Sequence, residues 1–416
     1  MALYYLISFD YNYYGMLFQP RELLFILLSW VFYFSIITVT PISNKRVSNL
    51  IHAIVFALSY VPISVLFELN TSRSFVPFFG ISLAYLLIGL AQNIPVYRSF
   101  QVAFFNTKSY LLSIGGLLAI CLSYLMYAIN FTFEMPSLDT IYEQREIFKE
   151  EITVLTSYAL NWLANSINVV FVIIGLRKRS WRIVLAGVIV AAYAFTLGGH
   201  KAILLGIPFL IFIYLFYEWF KRYLVNAYLL LLVAGLAAFF SVDYMTQHVS
   251  YISSILVRRG LFLPAQITYN YYEFTGFNPL NYFSQNIPFK YFIQTPYKES
   301  IPYLIGREYY SFNEDNHANG NFFADGMINI GLFAFPMVSL FMILFYRLLD
   351  FVSIGKPKVV AFSAFFVSIT YFINSGIIVS LVTHGLLMTC LLIAFYPQKH
   401  RMILASNFKN LEETND

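Results

Sequence analysis

Residues 223–241 read YLVNAYLLLLVAGLAAFFS, and the chain then turns polar and basic, running VDYMTQHVSYISSILVRRGLFLPAQITYNYYEF over 242–274. The first stretch carries no charge and is long enough to cross a hydrocarbon core of about 30 Å as a helix. It must be a helix, because lipid offers a backbone N–H or C=O no partner. The second stretch opens a region, 242–322, that holds Arg258, Arg259, Lys290, Lys298, Arg307 and His317 between long apolar runs. A membrane protein with one large, basic, tyrosine-rich loop is suited to processing something at the bilayer surface.

Outward from this junction the apolar pattern repeats. Spans are expected near 22–40, 50–67, 75–93, 110–130, 153–175, 183–199, 202–219, 223–241, 323–346, 359–375 and 377–396. Of 416 residues, 59% are hydrophobic and 11% charged, with a mean hydropathy of +0.68. A soluble domain carries roughly 25% charged residues. The expected fold class is therefore all-α: a polytopic integral membrane protein with about 11 transmembrane helices and one large external loop. It divides into N-terminal membrane helices (1–241) with a small loop at 131–152, the large loop (242–322), C-terminal helices (323–396) and a polar tail (397–416).

Alternate short loops are basic, holding Lys45 and Arg46, then Arg98 and Lys108, then Arg177, Lys178, Arg179 and Arg182, then Lys221 and Arg222, then Arg347, Lys356 and Lys358. Lysine and arginine concentrate on the cytoplasmic side, so 131–152 and 242–322 are expected outside. This topology accounts for the net charge of +5, and no nucleic-acid partner is inferred. Cys121 and Cys390 fall inside spans and define neither a disulfide framework nor a metal site. Residues 1–20 lack the basic start of a cleavable signal. With Tyr4, Tyr5, Tyr11, Tyr13 and Tyr14 they read as an interfacial aromatic segment. The large loop has no counterpart in the first half, which argues against a transporter built of two equivalent halves.

Candidate chemistry lies where polar residues interrupt this background. In NEDNHANGNFFADGMINIG (313–331), His317, Asn321, Asp325 and Asn329 recur every fourth residue, a spacing that on a helix makes one stripe. A carboxylate just inside a membrane helix rarely faces lipid. The plainer reading of Asn321, Asp325 and Asn329 is interhelical hydrogen bonding, with Gly320, Gly326 and Gly331 permitting close approach. In VRRGLFLPAQITYNYYEF (257–274), Pro264 suits the first turn of a short helix, so Arg258 and Arg259 are expected in the segment leading into it. Guanidinium groups hold phosphate bidentately, although attraction to anionic headgroups needs no such site. Arg145 in IYEQREIFKEE (141–151) and Lys201 in LGGHKAILLG (197–206), beside His200, are further phosphate candidates. Against that, Arg145 has nearby glutamates to pair with, and Lys201 is placed to snorkel. The loop tyrosines, Tyr271 and Tyr272 among them, offer flat faces for sugar rings or an interfacial belt. No nucleotide-binding loop, dinucleotide fingerprint or HExxH motif occurs, so any substrate is expected to arrive already activated and carried by lipid.

The order of these features resembles the bacterial O-antigen or oligosaccharide repeat-unit polymerase family. Tyr142 and Arg145, Gly199 and Lys201, Arg259, Gly260, Pro264 and Tyr271, and then Asn321, Asp325, Asn329 and Gly331 carry the resemblance across 140–335. Where family members often have an arginine after the small-turn glycine, this chain has His200 and Lys201. The resemblance implies a glycosyltransferase of the bacterial inner membrane with its large loop periplasmic and no cofactor or metal. It would move a growing glycan from undecaprenyl pyrophosphate to a new lipid-linked repeat unit. The implied partners are that lipid-linked oligosaccharide, membrane lipid, and a chain-length regulator and flippase of the same pathway. Arg145, Lys201, Arg258 or Arg259 would neutralise the leaving pyrophosphate. His317, Asp315, Glu314 or Asp325 would serve as general base, and Tyr271, Tyr272, Asn321 and Asn329 would line the substrate site. An O-antigen ligase and a polysaccharide flippase are the competing readings.

Overall fold

The computed structural model describes residues 1–41, 46–94, 106–129, 152–199, 201–221, 223–310 and 317–397. Among these the regular structure is helical, and its β-type pairing is confined to an isolated bridge between Gln19 and Asn70. Helix α1 is Ala2–Asp10 and α2 is Leu23–Val39. The long helices α3 (Val47–Leu69), α4 (Phe75–Gln92), α5 (Thr107–Ala128), α6 (Val154–Arg177) and α7 (Trp181–Gly198) follow. Next come α8 (Lys201–Phe220) and α9 (Leu224–Thr246). The region after α9 contains α10 (Leu263–Thr275) and α11 (Ile301–Tyr309). The chain returns to the bundle through α12 (Phe322–Ile330) and α13 (Ala334–Ser353), then α14 (Lys358–Asn374) and α15 (Leu386–Ala394).

Among the described residues eight helices are long and apolar enough to cross a membrane, α12 and α13 counting as one run, and α2 and α14 are shorter apolar helices. The protein is thus a polytopic helical membrane protein. The run Phe322–Ser353 has 32 residues, roughly 48 Å at 1.5 Å per residue, while α13 alone reaches about 30 Å. The two parts meet at Gly331, whose φ of +61° and ψ of −139° suit glycine alone.

The expected span at 377–396 is not one continuous helix. A wide π-turn, Val379–Thr383, ends at His384, and Gly385 takes φ +79° before α15 begins. Carbonyls freed by such a break need partners in a bilayer. Here backbone bonds from Gly385 N to the Val382 carbonyl (3.3 Å) and from Thr389 N to that of Gly385 (2.8 Å) are joined by two donors from α6: Trp162 Nε1 donates to the Val382 carbonyl at 2.6 Å and Ser166 Oγ to that of Gly385 at 2.7 Å.

Helix α9 stands at the margin, with only 6% of its apolar window buried, whereas α6 is 78% buried. The central packing uses aromatic layers. Phe67 and Phe78 stack at 4.1 Å and 3° between α3 and α4, and Tyr60, Tyr85 and Tyr346 are fully enclosed. The described residues of the polar region, 247–310 and 317–321, fold back on the bundle. One stripe of α10, Ile267, Tyr271 and Phe274, forms a second small core with Ile301 and Ile305 of α11 and Ala324 and Ile328 of α12.

Candidate functional site

Positions 266, 270 and 273 of α10 are spaced i, i+4, i+7 and so share a helical face. They carry Gln266, Asn270 and Glu273. That face meets two other pieces of chain. One is the turn between α3 and α4, where Asn70 Oδ1 accepts from Ser72 N at 3.0 Å and Ser74 caps α4 through the Val76 N–H, a short polar turn of the Asx type. It delivers Arg73, 7% exposed. The Arg73 guanidinium donates to Asn270 Oδ1 (2.8 Å), Glu273 Oε1 (3.3 Å) and the Gly15 carbonyl (3.2 Å). Asn270 Nδ2 in turn donates to the Tyr310 hydroxyl at 3.0 Å. Burial raises the Tyr310 phenol above its ordinary value despite Arg73 nearby, so it stays protonated at neutral pH.

The second piece is the strap 11–21. Gln19 N donates to Leu69 O (2.8 Å), Thr71 N to Gln19 O (3.1 Å), and Gln266 Nε2 to Tyr14 O. The strap lays Tyr11 and Tyr14 against the residues leading into α10. Those residues, Ser254–Phe262, are wound as a π-helix continuous with α10. Pro264 sits in the first turn of α10. Arg258 is 6% exposed. Its Nε donates to Ser254 Oγ at 3.0 Å, and its guanidinium lies 4.2 Å from the Tyr11 ring centre and 5.6 Å from that of Tyr14. Cation–π contact of this kind stabilises a desolvated charge without neutralising it. Arg73, Arg46 and Arg307 face carboxylates of Glu273, Asp350 and Glu299. Among the described residues no carboxylate pairs with Arg258 or with its exposed neighbour Arg259.

The expected stripe of four does not form on one helix. Helix α12 starts at Phe322, so His317 lies outside it, its ring 3.6 Å from that of Tyr303. Asn321 is the N-cap, and its Oδ1 accepts from the N–H groups of Phe323 (3.0 Å) and Ala324 (2.9 Å), satisfying two donors otherwise left open at a helix start. Asp325 and Asn329 do share a face. Asp325 Oδ2 accepts from Ile377 N (3.0 Å) and Oδ1 from Asn329 Nδ2 (3.1 Å). Asn329 Oδ1 accepts from Asn281 Nδ2 (3.0 Å) and Phe283 N (2.6 Å). The pair therefore ties α12 both to the 281–283 turn and to the start of the broken span. Gly376 closes over Asp325, where a Cβ would stand 2.5 Å from the carboxyl carbon. Tyr271 donates to the Ala318 carbonyl at 3.0 Å, and Tyr272 packs half-buried at the edge of the main core.

These geometries predict a modest effect for Asp325→Asn. One acceptor oxygen becomes an amide donor facing another donor, a cost of about 1–3 kcal/mol. A lower thermal midpoint in detergent with chain function retained is expected. A fully stable protein without activity would instead place the carboxylate charge in the chemistry.

The structure does not bring all expected site residues together. Arg258 and Tyr271 are thirteen residues apart on one helical run, roughly 20 Å, so the arginines and the Asp325 cluster occupy opposite ends of α10. Arg145, Tyr142, His200, Glu314 and Asp315, and the side chain of Lys201, lie outside the described residues. Among the described residues no cluster of histidine, cysteine or carboxylate side chains suits a metal ion. Sequence reasoning missed Arg73, Tyr11, Tyr14, Asn270, Glu273 and Tyr310 as neighbours. Two signals were present: the lone arginine in the short turn NTSRS (70–74), and the polar i, i+4, i+7 face of α10. No family model, curated protein or solved structure matches the chain.

Proposed function

We propose that this protein is a repeat-unit polymerase of the O-antigen type, a glycosyltransferase of the bacterial inner membrane acting on undecaprenyl-pyrophosphate-linked glycans. The observation that carries the reading is the Arg258–Arg259 pair at the head of α10. Arg258 is buried on tyrosine faces, Arg259 is exposed, and neither has a carboxylate counter-ion among the described residues. Two adjacent guanidiniums suit a pyrophosphate leaving group, whose developing charge must be neutralised. In this reading the chain has eleven crossings, the broken 377–396 segment included. The loop-bearing end, with 247–321, Arg73 and the strap, faces the periplasm.

The reading assigns roles by distance. In the donor the pyrophosphate is attached to the reacting sugar carbon, so a base must lie within hydrogen-bond reach of a hydroxyl attacking that same carbon. Asp325, at the far end of α10, is too distant to be that base while the donor pyrophosphate lies on Arg258, and we assign it to holding α12 against 376–377. The exposed tyrosines Tyr282 and Tyr291 offer ring faces along the route of the glycan.

A deletion strain tests the proposal. Lipid core capped by a single repeat unit is the expected result. Bare core with accumulated lipid-linked polymer would make the protein a ligase, and cytoplasmic accumulation of single units a flippase. In the same cells, a cysteine replacing exposed Lys298 in a Cys121→Ala background is expected to react with an impermeant reagent from outside.

A further inference from the structure

Where α6 turns into α7, the end of α6 is closed by two backbone bonds, Arg179 N to Leu176 O (3.1 Å) and Ser180 N to Gly175 O (2.9 Å). A helix closed in this way usually ends on glycine, because the residue after the cap takes a left-handed conformation. Here that residue is an arginine with φ +54°, a backbone state that costs a residue bearing a side chain. Packing does not explain the choice, since Arg179 is exposed. It borders a cavity of about 610 Å³ between this turn, the last turns of α8 and the turn from α13 to α14. Helix α9 starts beside this end of the bundle and carries the chain away to 247, so the cavity and the polar region lie at opposite ends. Arg177 borders the cavity too. Its guanidinium leans on the Tyr396 ring at 5.7 Å, and its Nη1 is buried without a hydrogen-bond partner, a rare state for a buried donor. Among the described residues no carboxylate pairs with Arg177 or Arg179, and Glu218, in the same wall, is held by Lys221 at 2.6 Å. The starts of α7 and α14 also border the space, and neither N-cap, Ser180 nor Pro357, closes its helix with a side chain. Open helix starts favour anions.

We propose that this cavity is a binding site for the headgroup of an anionic glycerophospholipid. The phosphodiester lies on Arg177 and Arg179, the headgroup hydroxyls reach Glu218 and Tyr214, and the acyl chains leave across the apolar part of the wall. Two guanidiniums without carboxylate partners supply the phosphate contacts. Basic pockets between membrane helices suit such headgroups, and Trp181, 68% exposed at the rim, is a residue typical of headgroup depth. A headgroup carrying its own ammonium would bring a further cation to a wall whose carboxylate is already paired, so the net-anionic lipid is preferred. Neither the cavity nor its ligand rests on the transferase function proposed above.

The test is native mass spectrometry of the full chain released from nanodiscs of phosphatidylglycerol and phosphatidylethanolamine in equal amounts. Preferential retention of phosphatidylglycerol is expected. Arg177→Gln and Arg179→Gly should each lower that retention by about tenfold or more, as for loss of a charge-assisted hydrogen bond. Lys178→Gln, at an exposed neighbour that does not border the cavity, should leave it unchanged. Arg179→Gly carries a second readout of opposite sign. Glycine takes a positive φ freely, so the thermal midpoint of the delipidated protein in detergent should rise while retention falls. Should Arg177→Gln fail to fold, Arg179→Gly decides alone. Equal retention of the two lipids, an equal loss in Lys178→Gln, or unchanged retention in Arg179→Gly overturns the proposal. A midpoint that falls together with retention would make Arg179 a structural residue and overturn it as well. Displacement of the lipid by glycerol 3-phosphate at matching concentration would assign the cavity to a soluble phosphate instead. Surface polysaccharide in the deletion strain does not bear on any of these outcomes, so this site and the transferase function fail separately.

Discussion

Arg259→Ala is expected to lower polymer formation by about 10²–10³-fold, the range for removing one preorganised charge-stabilising group from a reacting centre. Arg259 is exposed, so its loss leaves no buried cavity and no orphaned partner, and the variant should fold and insert normally. That separates it from Arg258→Ala, which would also strip the Tyr11 ring of its cation and leave Ser254 with the Tyr11 hydroxyl in place of two donors. Lysine at 259 restores the charge without the fork, and we expect it to recover only a small part of the rate. Turnover measured in proteoliposomes with a lipid-linked repeat unit checks this. Full activity of the alanine variant would remove Arg259 from the mechanism, and full rescue by lysine would reduce it to a point charge.

The second large effect is on stability. Arg73→Met removes the cation that joins Asn270, Glu273 and the Gly15 carbonyl. Breaking a buried pair costs roughly 3–5 kcal/mol. Because the Glu273 side chain keeps 33% exposure, we place the cost at the lower end of that range. Thermal unfolding in detergent should show it as a clear drop in midpoint. Glu273→Gln alone should cost less, and the double variant little more than Arg73→Met, since the two changes share one interaction. Additive effects would mean that Arg73 and Glu273 act independently.

What the sequence made legible follows from what is local. Apolar runs placed the helices to within a few residues: 75–93 became Phe75–Gln92, and 153–175 became Val154–Arg177. The period of the pattern could not show where a helix starts, and so the four-residue stripe failed at His317. Asn321 spends its side chain capping α12, which ends the periodicity there. The break at Gly385 was hidden for the opposite reason, because 377–396 carries no Asp, Glu, Lys or Arg and the cue was the short His384–Gly385 step. Least legible was the arginine site. Tyr11 and Tyr14 read as interfacial aromatics because nothing local reveals that they lie against a segment some 250 positions later, as the Gln266–Tyr14 hydrogen bond does (252 apart).

The same separation imposes an order of events during biogenesis. The Arg73–Asn270 bond joins residues 197 positions apart. At about 5–20 residues per second, α3 and α4 wait roughly 10–40 seconds in the membrane before α10 exists to receive Arg73. For that interval the Gly15 carbonyl is the one of these three acceptors already synthesised, and the N-terminal half is a semi-finished bundle. Completion of the network then marks the chain as having translated past the arginine pair, so a ribosome that stalls before α10 releases a product whose Arg73 lacks Asn270 and Glu273.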